Sequence, residues 1–170
     1  ISVFSRDLKE KILSDFNNNN FNNVKGIIID LRSCPGGDFD SAIDFFRIFV
    51  DEKGSIVINN NKGEKILCGA SKPGINLPAV VLINEFTMSS AEIVTSVMKS
   101  SKRAVIVGEK SYGKGLCQGL FPFDNSFVLR LTVSEFVTSS REKIDENGIE
   151  PDIIIHEDNE QMVKAVEILK

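Results

Sequence analysis

The chain has 170 residues, 42% of them hydrophobic and 26% charged, with a net charge of −4. That balance describes one globular domain with a substantial core and excludes disordered and fibrous classes. The slight acid excess leaves no electrostatic footprint for nucleic acid, no apolar stretch approaches the ~18 residues a bilayer span needs, and three cysteines without C-x-x-C spacing offer neither a disulfide framework nor a zinc site.

Leu8, Ile12 and Phe16 at helical spacing predict a helix over 7–16, followed by an asparagine-rich loop over 17–23. The nearly continuous apolar run 24–31 reads as a strand buried on both faces, ended by Pro35-Gly36-Gly37. Ala42, Phe45, Phe46 and Phe49 then place a helix over 41–50, so strand and helix make a βα unit. Segments 55–60 and 65–68 flank Asn61-Lys62-Gly63-Glu64 as a hairpin. A buried strand over 79–83 and a helix beginning near Ser89 form a second βα unit. Further strands are expected at 104–107, 126–137 (long and alternating) and 153–155, with a closing amphipathic helix over 159–169. Buried strands alternating with helices predict an α/β layered domain.

Gly108-Glu109-Lys110-Ser111-Tyr112-Gly113-Lys114-Gly115 nearly matches a phosphate loop, but Gly115 stands where the magnesium-binding hydroxyl belongs. A phosphate loop must also open a helix, whereas Leu116-Cys117-Gln118-Gly119-Leu120-Phe121-Pro122 reads as a strand. The other role open to Lys114 is that of a base, since burial lowers the pKa of an amine and frees it to accept a proton. A strand after Gly115 would project Lys114 and Gln118 from one face.

Ser89 lies where a buried strand turns into a helix, a position at which a backbone N–H can hold an oxyanion and the hydroxyl can face a ligand. Ser89-x-x-Glu92 is equally a capping box, and taken alone it reads as a helix start. A triad with histidine, or a pair with Cys34, would have to rest on His156, the sole histidine, which reads as the exposed end of a strand. An S-x-x-K match at Ser96–Lys99 stands without the companion motifs of the penicillin-binding enzymes.

Taken together, these segments resemble the catalytic core of the C-terminal processing peptidases, or tail-specific proteases. The likeness rests on Gly26 to Arg32 with Pro35-Gly36-Gly37, the Ser89 to Ile93 turn, Arg103 to Gly115 with Gln118, and Gly148 to Ile153, in that order. It covers about residues 24–155, and four ordered motifs are far more specific than any one. The resemblance implies a crotonase-like α/β core of βα units with mixed sheet, and a serine endopeptidase acting on protein C-terminal regions through an acyl-enzyme. It assigns Ser89 as nucleophile, Lys114 as general base, Gln118 as the residue that positions the lysine, and the N–H groups of Gly37 and Ser90 as the oxyanion hole. It further implies no metal or organic cofactor, protein or peptide substrates with extended apolar C-termini, and a place in the cell envelope or otherwise outside the cytoplasm; charge and hydropathy add no nucleic-acid partner and no stable membrane insertion, and a homo-oligomer stays open.

Three positions depart from the family pattern: Cys34 replaces a usual Asn, Met88 a usual small residue, and Ser100 an Asp of many members. Met88 is expected to narrow the pocket. The PDZ domain usual before this region has no counterpart here. The expectation is a single serine-protease core over 1–170, excised from a longer protein or from a member without that domain, as the start at Ile1 also suggests. A rival reading keeps the fold but reduces it to a catalytically inactive peptide-binding scaffold, with Ser89 a mere cap and Lys114 held apart.

Overall fold

The computed structural model describes residues 1–18, 24–123 and 127–170. In chain order the elements are α1 (Leu8–Asn18), β1 (Ile27–Asp30), α2 (Phe39–Phe49), β2 (Ser55–Asn60), β3 (Gly63–Cys68), β4 (Ala79–Ile83), α3 (Ser90–Ser100), β5 (Ala104–Gly108), β6 (Leu116–Pro122), β7 (Val128–Val137), β8 (Ile153–Ile154) and α4 (Asp158–Ile168). Each predicted strand and helix is present, β2, β4 and β6 with the expected ends and the others with shifted ones; α1 runs on to Asn18, and most of the expected asparagine-rich loop lies outside the described residues.

Parallel and antiparallel pairing segregate into two sheets. One has the order β1-β4-β5-β8 with parallel neighbours, the other β3-β2-β7-β6 with antiparallel neighbours. β4 sits centrally in the first sheet, and all five of its residues are buried, as a strand covered on both faces requires. Ala79, Val81 and Ile83 join the main core with α2 and α3, while Val80 and Leu82 pack with Val107 and Ala165 of α4 on the opposite face. The main core also takes in Ile56 and Ile58 of β2 and Phe136 of β7, so α2 and α3 lie between the two sheets.

Asp38 caps α2, its carboxylate accepting from the Ser41 N–H at 2.9 Å and the Ser41 hydroxyl at 2.8 Å. Arg103 ties the start of β5 to the end of α2 by donating to the carbonyls of Phe49, Ile75 and Leu77 at 2.8, 3.1 and 2.6 Å. The alternation read along 126–137 does not yield a half-buried strand. β7 begins at Val128, and its first six residues are exposed on both faces because the β6–β7 hairpin extends past the helix layer.

Candidate active site

Ser89 is the N-cap of α3 with φ 57° and ψ −121°, a conformation that costs an L-residue about 1–3 kcal/mol. The bonds around it explain how that conformation is held. The Met88 N–H donates to the Cys34 carbonyl at 3.0 Å, the Thr87 hydroxyl to the Leu31 carbonyl at 2.8 Å, and the Tyr112 N–H to the Thr87 carbonyl at 3.0 Å. The turn after β4 is thereby fastened to both the glycine turn after β1 and the lysine turn after β5. Cys34 is buried and acts through its backbone, and burial pushes its thiol up.

The glycine turn comes up against the serine. A Cβ on Gly36, whose φ is +94°, would stand 2.9 Å from Ser89 Cβ and from the Ser90 nitrogen. Ser90 Oγ donates to the Gly37 carbonyl at 3.0 Å. Among the described residues, neither the Gly37 nor the Ser90 N–H donates to a protein backbone acceptor outside regular helix and strand pairing.

The lysine turn is held just as closely. The Gly115 N–H donates to Asp145 Oδ1 at 2.9 Å, and a Cβ on Gly115 would lie 2.4 Å from the Asp145 nitrogen, so the turn closes there only without a side chain. Residues 109–115 are irregular backbone that leads into β6. The helix N-terminus that a phosphate loop needs is absent at this point.

Glu92 joins the two turns. It is fully buried, and its carboxylate accepts from the Ser89 N–H at 2.8 Å, the Gly113 N–H at 2.7 Å, the Lys114 N–H at 2.8 Å and the Ser111 hydroxyl at 2.6 Å. Ser111 Oγ in turn accepts from the Ile149 N–H at 2.7 Å, which brings the segment after Gly148 into the same network. Burial pushes the Glu92 carboxyl above the ordinary carboxylate range, against the pull of its four donors. The capping box showed only the local half of this arrangement, the bond to Ser89 three residues back.

Ser89, Ser90, Gly37, Lys114 and Gln118 all line one cleft of about 550 Å³, with Phe39, Ile93, Leu116 and Phe136 as apolar wall. Ser89 and Lys114 are half-buried and Gln118 is exposed. Among the described residues, no hydrogen bond joins the side chains of Ser89, Lys114 and Gln118 to one another. Met88 is not among the residues that line the cleft. His156 does not line this cleft; it is 77% exposed and paired with Glu109 at 2.7 Å. Cys117, which also lines the cleft, has its thiol pushed up by burial.

The sequence profile of peptidase family S41 matches residues 1–155. The chain belongs to this family. It is 30% identical over 156 residues to a carboxyl-terminal-processing protease of Picosynechococcus sp., covering 91% of this chain and 38% of that protein. It is 31% identical over 155 residues to the carboxy-terminal processing protease CtpA of Bacillus subtilis, covering 90% and 33%. The solved structure of a photosystem II D1 C-terminal processing protease matches with a TM-score of 0.82 and 27% identity, over 92% of this chain and 41% of its own. The family fold is therefore the one described above, and the chain spans about two fifths or less of the length of these relatives. Among the described residues, no helix is long and apolar enough to cross a membrane.

Proposed function

We propose that this chain is the catalytic core of a serine endopeptidase that cleaves protein C-terminal regions. The observation that carries the proposal is the convergence of Ser89, Lys114, Gln118, Gly37 and Ser90 on one cleft. In the proposed reaction, Lys114 in its neutral form takes the Ser89 hydroxyl proton, and Ser89 Oγ attacks the scissile carbonyl. The oxyanion rests on the N–H groups of Gly37 and Ser90. Lys114 then gives its proton to the leaving amine, and the acyl-enzyme is hydrolysed when a water, deprotonated by the same amine, attacks the ester. Gln118 orients the lysine. β6 is an edge strand beside the cleft, so an extended substrate tail with an apolar end adds along it as a further strand. The relatives named as carboxyl-terminal processing proteases support this reading.

The second reading, a peptide-binding scaffold without catalysis, is favoured by one observation, the lack of a hydrogen bond between Ser89 Oγ and Lys114 among the described residues. Catalytic bonds commonly tighten only when substrate binds. The two readings part on cleavage of an unstructured peptide with an apolar C-terminus by the chain, Ser89→Ala and Lys114→Ala. Cleavage lost in both variants, with binding kept, is the expected result. Cleavage that survives both substitutions ends the Ser/Lys mechanism, and binding without any cleavage by the unsubstituted chain leaves the scaffold.

A further inference from the structure

Beyond the catalytic groups, the cleft holds, among the described residues, one charged side chain with no partner. Arg130 lies on β7 directly opposite Leu120 of β6, and both residues line the cleft that contains Ser89, Lys114 and Gln118. Residues paired across an antiparallel ladder share a face, so Gln118 and Leu120 on β6, with Arg130 and Thr132 on β7, form one continuous surface. Apart from Arg130, that surface carries no charge.

Arg130 is exposed, and among the described residues its guanidinium takes part in no hydrogen bond or ion pair, its backbone alone being engaged in the ladder. The acid that lines the same cleft, Asp38, is already engaged by the Ser41 N–H and hydroxyl and by Arg6 at 3.6 Å. The cation is therefore left for a ligand. An apolar concave wall strengthens its field, and the guanidinium fork suits a carboxylate in two parallel hydrogen bonds.

We infer that Arg130 is a specificity-determining residue that reads a carboxylate on the substrate chain a few residues from the scissile bond. The inference rests on the peptidase reading of the cleft and deepens it. Leu120, opposite Arg130, lies two residues beyond Gln118, about 7 Å along β6, and an extended substrate has the same rise. Because Ser89 and Arg130 line the same cleft, the scissile bond and the carboxylate belong to one bound segment of substrate, and the scan fixes their separation. An acidic side chain and the α-carboxylate of a tail offer the same chemistry.

The test uses unstructured peptides in which Glu or its isostere Gln is scanned along positions on either side of the cleaved bond, each made as free acid and as C-terminal amide. The expected result is a preference of about tenfold or more in kcat/KM for a carboxylate at one position. Arg130→Gln brings the Glu to Gln ratio close to one, and Arg130→Glu transfers the preference to Lys at that position. A preference that follows the free acid over the amide assigns the α-carboxylate; one that follows Glu assigns a side chain. A Glu to Gln ratio that persists in Arg130→Gln overturns the inference, as does a uniform preference at every position. The same peptides are titrated onto Ser89→Ala, with and without Arg130→Gln, following backbone amide signals by NMR in both and the Arg130 Nε–H signal where the arginine is kept. Binding preference without cleavage sinks the peptidase reading and keeps the carboxylate site. Cleavage without preference does the reverse.

Discussion

The buried carboxylate of Glu92 accepts the backbone N–H of Lys114 at 2.8 Å through Oε2, the same oxygen that accepts the N–H of Ser89 at 2.8 Å. One atom therefore sets the distance between the backbone of the proposed nucleophile and that of its base. Glu92 acts as a positioning residue, since its contacts are with backbone and with Ser111 and not with the reacting atoms.

Glu92→Ala strands three N–H groups and a hydroxyl in a dry site, each costing about 1–3 kcal/mol when unsatisfied. We expect a stability loss of at least about 3 kcal/mol, read from the urea midpoint at an unchanged m-value. Glu92→Gln keeps the volume but turns an NH₂ toward donors. It should fold with a smaller loss while kcat falls more than KM changes, because the serine and lysine turns shift relative to each other. A Gln variant with full kcat would show that the network only stabilises the fold.

Ser89→Gly removes the side chain that makes a φ of 57° costly. Relief of about 1–3 kcal/mol of strain is offset by the ~0.5–1 kcal/mol entropy cost of glycine, so the variant should gain about 1 kcal/mol in stability. Peptide cleavage is lost at the same time, a trade between stability and activity at a strained site. Denaturant titration of both forms checks this, and a lowered midpoint for the glycine variant would count against stored strain.

Burial works against the charged Asp30 carboxylate, yet the Arg32 guanidinium, with bonds of 2.9 and 2.6 Å, holds it below the ordinary range. A carboxylate depressed in the folded state stabilises fully above its unfolded pKa of ~3.9 and loses that contribution as pH falls through the depressed value. The Asp30 side chain is 39% exposed, so its contribution is discounted to about 1 kcal/mol. Asp30→Asn should therefore weaken the fold at pH 7, and its deficit against the unsubstituted chain should shrink progressively as pH falls below the unfolded value of ~3.9. A loss that does not change with pH would place the effect elsewhere than in the charge.

Much of the fold could be read from periodicity. The run 79–83 is apolar at every position because both of its faces are covered, and the one-sided pattern of α2 reflects one contact surface. β7 misled because alternation reports how side chains face, not whether anything covers them, and its outer half lies beyond the core. Glu92 was visible only as a cap, since three of its four donors come from Ser111, Gly113 and Lys114, at least 19 positions away. Arg130 gave no signal along the chain at all.

Local covalent order and side-chain pattern were enough to determine the element sequence, the glycine turn at Gly36, the serine at a helix start and the loss of a phosphate loop at Gly115. These features depend on neighbours within a few residues, where spacing and backbone sterics act directly. Only the tertiary structure decided that the serine turn, the lysine turn and the β6–β7 hairpin share one cleft, that a buried carboxylate binds the first two together, and that a guanidinium without a partner among the described residues stands on the third. Those relationships come from burial and long-range hydrogen bonding, which a one-dimensional pattern does not carry.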